Sequence, residues 1–235
     1  MCSRYTLTSP HEAVGAYFRT RNQLAFPPRY NIAPTQPVVI VRADAHGEPE
    51  QALVRWGLIP AWAKDPAKLS TLINARSETA ADKPSFRGAM RHRRCLVPAD
   101  GFYEWTGRAG GKDPHLIRLA QPDPAFGHLM AFAGLWETWL GADGSEIDTM
   151  AVLTTAANAD MAAIHDRMPV ILAPSEFGRW LDCRAGSAVP VLDLMMPAPE
   201  GLLHIRPVTR RVSSVRNEGP ELWADRQEAL GTRLI

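Results

Sequence analysis

Apolar residues along this chain first follow a helical period and then settle into short, strand-like runs. Ser9-Pro10-His11-Glu12 has the form of a helix start, with Ser9 as cap, Pro10 in the first turn and Glu12 completing a capping box. Val14, Tyr17 and Phe18 continue an apolar face to about Asn22, and Pro27-Pro28 stops it. Beyond that point the pattern predicts strands over residues 38–42, 51–56, 95–105, 115–119, 129–140, 149–155, 169–172 and 203–208. Gly110-Gly111 and residues 141–144 read as hairpin turns. Helical stretches are few and short, at about 85–93, 158–164, 175–182 and 190–195. No regular βαβ alternation emerges. The expectation is therefore one α+β domain of mostly antiparallel sheet, barrel-like or sandwich-like, with short flanking helices.

Composition adds exclusions. Apolar residues make up 46% and charged residues 22%, enough for a proper core. No stretch approaches the ~18 uninterrupted apolar residues of a membrane helix, and no charged-then-apolar leader opens the chain, so a cytoplasmic protein without membrane contact is expected. Three cysteines, Cys2, Cys95 and Cys183, with no CxxC, argue against a disulfide framework. His92 and Cys95 lack a partner pair for zinc, so neither metal nor cofactor is expected, and Cys95 reads as a small buried hydrophobe. The net charge of +1 announces no partner, but arginine outnumbers lysine 22 to 4. Residues 83–94 carry Lys83, Arg87, Arg91, Arg93 and Arg94 without an acid. That cluster suits phosphate, and equally suits a solvated helix face.

Candidate chemistry begins at the second residue. Cysteine behind the initiator allows Met1 to be removed, leaving a 1,2-aminothiol whose amine and thiol titrate at roughly 8 and 8.5. Such a pair can attack a carbonyl twice, through nitrogen and then through sulfur. Four further segments are poor core material: residues 29–35 and 72–79, read as polar loops or loop entries, and residues 98–105 and 164–169. Alternation along the third places Phe102 and Glu104 on one strand face and Tyr103 and Trp105 on the other. A carboxylate crowded by aromatics loses water, which suits acid–base work, although a half-exposed strand glutamate fits the same pattern. His165 could shuttle protons, contact phosphate or simply bond its own loop. Asn74 could orient a hydroxyl or carbonyl. Arg4, Arg76 and Arg167 lie beside these candidates and would make a site positive. Trp62 offers either a stacking surface for a base or a core ring.

The ordered motifs Met-Cys-x-Arg-Tyr, Tyr30-Asn31-Ile32-Ala33-Pro34, Trp56-Gly57-Leu58-Ile59-Pro60, Asn74-Ala75-Arg76-Ser77-Glu78-Thr79, residues 94–105 and His165-Asp166-Arg167-Met168-Pro169 closely resemble the SOS response-associated peptidase (SRAP) family of abasic-site processing proteins. The likeness runs over residues 1–222, leaving 223–235 as a C-terminal tail. It implies a positively charged cleft for single-stranded DNA and a Cys2 that crosslinks to the opened sugar of an abasic site as a thiazolidine. It further implies that Asn74 steadies the sugar, that Glu104 and His165 move protons, and that Arg4, Asn31, Pro34, Trp62, Arg76 and Arg167 contact the strand. Autocatalytic removal of Met1 and a lyase side reaction are implied too, in a monomer acting in the DNA damage response. Ser3 stands where the family usually has glycine, and Ser213 where many relatives have asparagine. Two other readings share parts of this pattern: an N-terminal nucleophile amidohydrolase using Cys2 on an amide, and a noncatalytic reader of modified DNA.

Overall fold

The computed structural model describes residues 2–107 and 111–225, and thirteen strands in it form two sheets. In chain order they are β1 (Tyr5–Leu7), β2 (Arg29–Ile32), β3 (Pro37–Ala43), β4 (Pro49–Trp56), β5 (Asn74–Arg76), β6 (Arg94–Ala99) and β7 (Gly101–Thr106). Then follow β8 (Asp113–Leu119), β9 (Met130–Leu140), β10 (Glu146–Ala156), β11 (Arg167–Pro169), β12 (Ile171–Leu172) and β13 (Leu203–Pro207). The first sheet is antiparallel, in the order β13-β8-β7-β1-β2. The second runs β11-β10-β4-β3-β6-β9-β12, and because β9 also pairs with β10, its five middle strands close into a ring. Closure removes open edges, as expected of a barrel-like sheet. Pairing is antiparallel except where β10 runs parallel to β4 and to β5. The expected α+β, mostly antiparallel architecture is observed.

The main core lies between the sheets. Tyr5 meets Trp56 edge-on at 5.2 Å and Phe132 at 6.2 Å, and Phe102 meets Phe132 at 5.8 Å. A smaller core covers the other face of the first sheet, where Tyr103 and Leu116 pack with Val208, Val212, Leu222 and the rings of Tyr30, Trp105 and Trp223. The alternation expected at 102–105 is thus realised: Phe102 joins the main core, Tyr103 and Trp105 the second. Trp223 donates to the Tyr103 hydroxyl at 2.9 Å and Asp225 bridges Val208, so packing continues past Leu222 into the segment assigned to the tail. Residues 226–235 lie outside the described residues.

Five α-helices are short: α1 (His11–Phe18), α2 (Ser77–Ala80), α3 (Arg87–His92), α4 (Ala159–Ala162) and α5 (Phe177–Leu181). The helix expected at 190–195 is a 3-10 turn, Val189–Leu194. α1 departs from its expected ends. Pro10 occupies the N-cap without a side-chain bond, and Arg19, in the left-handed region at φ 53°, ends the helix before Asn22. Ser9 does not cap because its hydroxyl donates instead to Asp100, at 2.6 Å.

Asp100 also divides the run 95–105, which forms two strands in different sheets rather than one. Its buried carboxylate accepts from the Thr8 and Ser9 backbone N–H groups and from the Thr8 hydroxyl. The next residue must be glycine-sized, since a Cβ on Gly101 would sit 2.7 Å from the Ile117 carbonyl oxygen. The segments 29–35 and 72–79, read as loops, instead contain β2 and β5 with α2. Gly141–144 forms the β9–β10 hairpin as expected, whereas Gly110 lies outside the described residues. Among the described residues, no helix is long and apolar enough to cross a membrane.

Removing the Asp100 carboxylate would leave several donors of Thr8 and Ser9 without an acceptor. Asp100→Ala is expected to cost about 2–3 kcal/mol of stability, read by equilibrium denaturation.

Candidate functional site

Strand β1 lies between β7 and β2, and this pairing carries the N-terminal end of the chain between the two sheets. Cys2 is there fully buried. Asn74, at the start of β5, donates from Nδ2 to the Cys2 carbonyl oxygen at 2.8 Å. β5 is only three residues long and is positioned by its parallel ladder to β10, with Asn74 opposite Val152. Glu104 enters from β7, the neighbour of β1, and is 4% exposed. Burial, and after it the negative charge of Glu104, push the Cys2 thiol up to about 12. At neutral pH the sulfur is therefore held as a thiol beside a carboxylate.

Arg4 and Asn31 fix this strand end to the far end of the chain. Arg4 Nη1 donates to Asn31 Oδ1 at 2.7 Å and to the Val212 carbonyl at 2.8 Å, and its guanidinium lies 5.6 Å from the Trp105 ring centre. The Asn31 amide, fully buried, donates to the carbonyls of Ser214 and Asn217 at 2.9 and 2.8 Å. Ser213, the departure noted above, accepts from Trp105 Nε1 at 3.0 Å. Residues 212–217 are thus strapped over the outer face of β1 and β2.

A second group forms at the C-terminal end of β10, where Thr154 pairs with Arg76 of β5 on one side and Pro169 of β11 on the other. Arg167 donates to the Thr154 carbonyl at 2.6 Å and makes a two-pronged contact with Glu78 of α2, one prong at 2.9 Å. His165 precedes β11, and its Nδ1 lies 2.9 Å from the Arg167 backbone nitrogen and 2.8 Å from Asp166 Oδ1. The first contact needs a lone pair on Nδ1 and the second a proton. The loop therefore offers a partner to Nδ1 in either tautomer of the ring. Asn74 and Arg76 share one strand two residues apart, their Cα atoms separated by roughly 7 Å, so β5 borders both groups.

Buried polar atoms without hydrogen-bond partners are rare in folded proteins. Here Arg4 Nε and Asn74 Oδ1 occur in the first group, and Arg167 Nε and Thr79 Oγ1 in the second. Pro34 and Trp62 stand on separate loops. Pro34 is in the β2–β3 turn, beside Thr35 at φ 72°, and Trp62, 58% exposed, donates to the Pro84 carbonyl at 3.2 Å. Among the described residues, no three His, Cys, Asp or Glu side chains are grouped to hold a metal. Sequence reasoning held Asp100 and Glu78 within its candidate segments but gave them no role of their own, and left out Thr154, because their partners lie distant along the chain.

This arrangement is that of a β-rich α+β protein whose second residue, Cys2, is enclosed between sheets, beside an amide, a carboxylate and a set of arginines. The chain belongs to the SOS response associated peptidase (SRAP) family, whose model matches residues 1–215. It is 37% identical over 227 residues to the abasic site processing protein YoqW of Bacillus subtilis (strain 168), covering 94% of this chain and 98% of that one. The abasic site processing protein HMCES of Gallus gallus is 37% identical over 221 residues, 83% of this chain and 65% of that longer protein. A crystal structure of a Bacteroides thetaiotaomicron protein shares the fold with a TM-score of 0.82, at 23% identity over 95% of this chain and 99% of that one.

Burial makes cysteine reactivity unequal. In native protein near pH 8, iodoacetamide is expected to alkylate the partly exposed Cys183 well before Cys2 or Cys95, with all three reacting in denaturant, as read by peptide mass spectrometry. The folded state binds the Cys2 proton more tightly than the unfolded chain does. Its contribution to stability is therefore complete below the ordinary thiol range and lost as pH rises toward about 12, and Cys2→Ala should blunt that alkaline loss.

Proposed function

We propose that this protein recognises abasic sites in single-stranded DNA and captures them covalently through Cys2 once Met1 has been removed. The observation that carries the reading is the enclosed Cys2, with its carbonyl held by Asn74 and its thiol beside Glu104. Family membership and relatives described as abasic site processing proteins support the same substrate.

The chemistry follows from the two heteroatoms. The freed amine of Cys2 adds to the open-chain aldehyde of the lesion, and loss of one water gives an imine. The thiol then adds to the imine carbon: a carbon–sulfur bond forms, the thiol proton leaves, and the nitrogen gains one. The product is a five-membered thiazolidine. Nitrogen attacks first, because the imine it forms is the electrophile that the sulfur then closes on, and ring closure requires a base for the sulfur proton. Glu104 is the adjacent carboxylate. His165 is the second proton carrier, with Nδ1 given a partner in either tautomer by its loop. Closure within one residue gains the large effective concentration of an intramolecular step. Asn74 Oδ1, buried without a partner, is an acceptor for the amine or for a sugar hydroxyl.

Arg76 and Arg167 supply positive charge for the flanking phosphates, and Pro34 and Trp62 supply surfaces for bases. Arg4 and Asn31 contribute by holding the Cys2 strand and the strap, through hydrogen bonds to the protein itself. The same imine can lead to strand cleavage by β-elimination, and the same groups can assist loss of Met1. The protein would act in the cytoplasm, as a monomer, during the DNA damage response.

Mixing the purified protein with an abasic oligonucleotide should give an adduct of protein plus oligonucleotide less one water, on chains lacking Met1, by intact mass spectrometry. Cys2→Ala should abolish this adduct while leaving noncovalent binding within about twofold. A stable adduct in that variant would falsify the assignment. Noncovalent affinity for single strands should fall as salt rises, by about 0.7 in the logarithmic slope for each phosphate contacted.

A further inference from the structure

Arg167 already holds an anion. Its fork grips the Glu78 carboxylate with two prongs, the geometry in which guanidinium binds a phosphate. The two partners are not equally fixed. The Arg167 side chain is 13% exposed and tied to the Thr154 carbonyl at 2.6 Å, while the Glu78 side chain is 49% exposed on the one-turn helix α2. The cation belongs to the sheet and the anion is the movable part. Arg76, exposed and two positions before Glu78, adds its charge to the same place. Both carboxylate oxygens are used on Arg167 Nη1 and Nη2, while Arg167 Nε and Thr79 Oγ1 remain buried without partners. A phosphate group, with more oxygens, can use donors that the carboxylate leaves idle.

We propose that Glu78 is an internal stand-in for a backbone phosphate: it occupies the Arg167 fork in the free protein and is displaced when a phosphodiester of the bound strand arrives. The inference rests on the single-strand reading above and deepens it. Its consequence is selectivity. A lone anion must compete with a tethered carboxylate, and an undamaged strand held only by phosphates is released sooner. A lesion-bearing strand is retained by the bond to Cys2. Glu78 thereby keeps the protein from being sequestered on intact single strands.

The opposite role, a carboxylate that merely orients Arg167 for the strand, predicts the opposite sign. Binding of a fluorescein-labelled, unmodified oligothymidylate is compared for the wild-type chain and Glu78→Gln by anisotropy over a salt series. Displacement predicts about fivefold tighter binding at low salt for E78Q, equivalent to roughly 1 kcal/mol at 1.4 kcal/mol per decade. It also predicts a salt slope steeper by up to about 0.7, because Arg167 then enters the complex without an internal counter-charge. In an Arg167→Gln background the gain should vanish. Unchanged or weaker binding by E78Q, or a gain that survives without Arg167, overturns the proposal. Should E78Q fail to fold, E78A replaces it with the same two outcomes. Failure of the wild-type chain to bind the strand, or binding indifferent to salt, instead removes the single-strand reading itself.

Discussion

The pairing of β1 between β7 and β2 is the constraint on which the remaining structure turns. A chain terminus is ordinarily solvated and loosely held. Here three residues of ladder, Tyr5–Leu7, carry Cys2 out of water and set it against the second sheet. So short a strand is not self-supporting. It is held at one end by Asp100, which gathers the donors of Thr8 and Ser9, and at the other by Arg4 and Asn74. The main core locks the middle, through Tyr5 against Trp56 and Phe132.

Enclosure has an electrostatic consequence. Withdrawing a thiol from water disfavours its anion, and a neighbouring carboxylate does so further. A resting thiol is resistant to stray electrophiles and oxidation, which act on the thiolate. In the proposed capture, such a thiol reacts only once a substrate brings an electrophilic carbon and a base takes its proton. The second group, at the end of β10, follows similar logic with the opposite charge. Arg167 is tied to the sheet through Thr154 and paired with Glu78, and on the displacement proposed above its charge would go to a ligand that can compete.

Much of this was legible along the chain. The long strands β3, β4, β9 and β10 follow sustained apolar runs, and the alternation of Phe102, Tyr103, Glu104 and Trp105 foretold which residue faced which core. The four chemistry-bearing segments stood out because polar residues interrupt apolar surroundings. β1, β2 and β5 were missed for a physical reason: they are only three or four residues long, too short for a period to show, and stabilised by their neighbours rather than by any local pattern. Ser9 looked like a helix cap, but Asp100, ninety-one positions away, offers its hydroxyl a stronger, charged acceptor.

What the amino-acid order determined by itself was the inventory: a thiol at position 2, an amide, a carboxylate, an imidazole and the arginines. Hydrophobic periodicity and turn residues are local properties, so element type and candidate chemistry could be read from them. Only the tertiary structure decided that Arg4 and Asn31 turn inward to hydrogen-bond within the protein, that Glu78 sits in the Arg167 fork, and that Glu104 is buried near enough to Cys2 for its charge to act on the thiol. Those facts depend on ladders and burial between residues tens to hundreds of positions apart, and no local period carries that information.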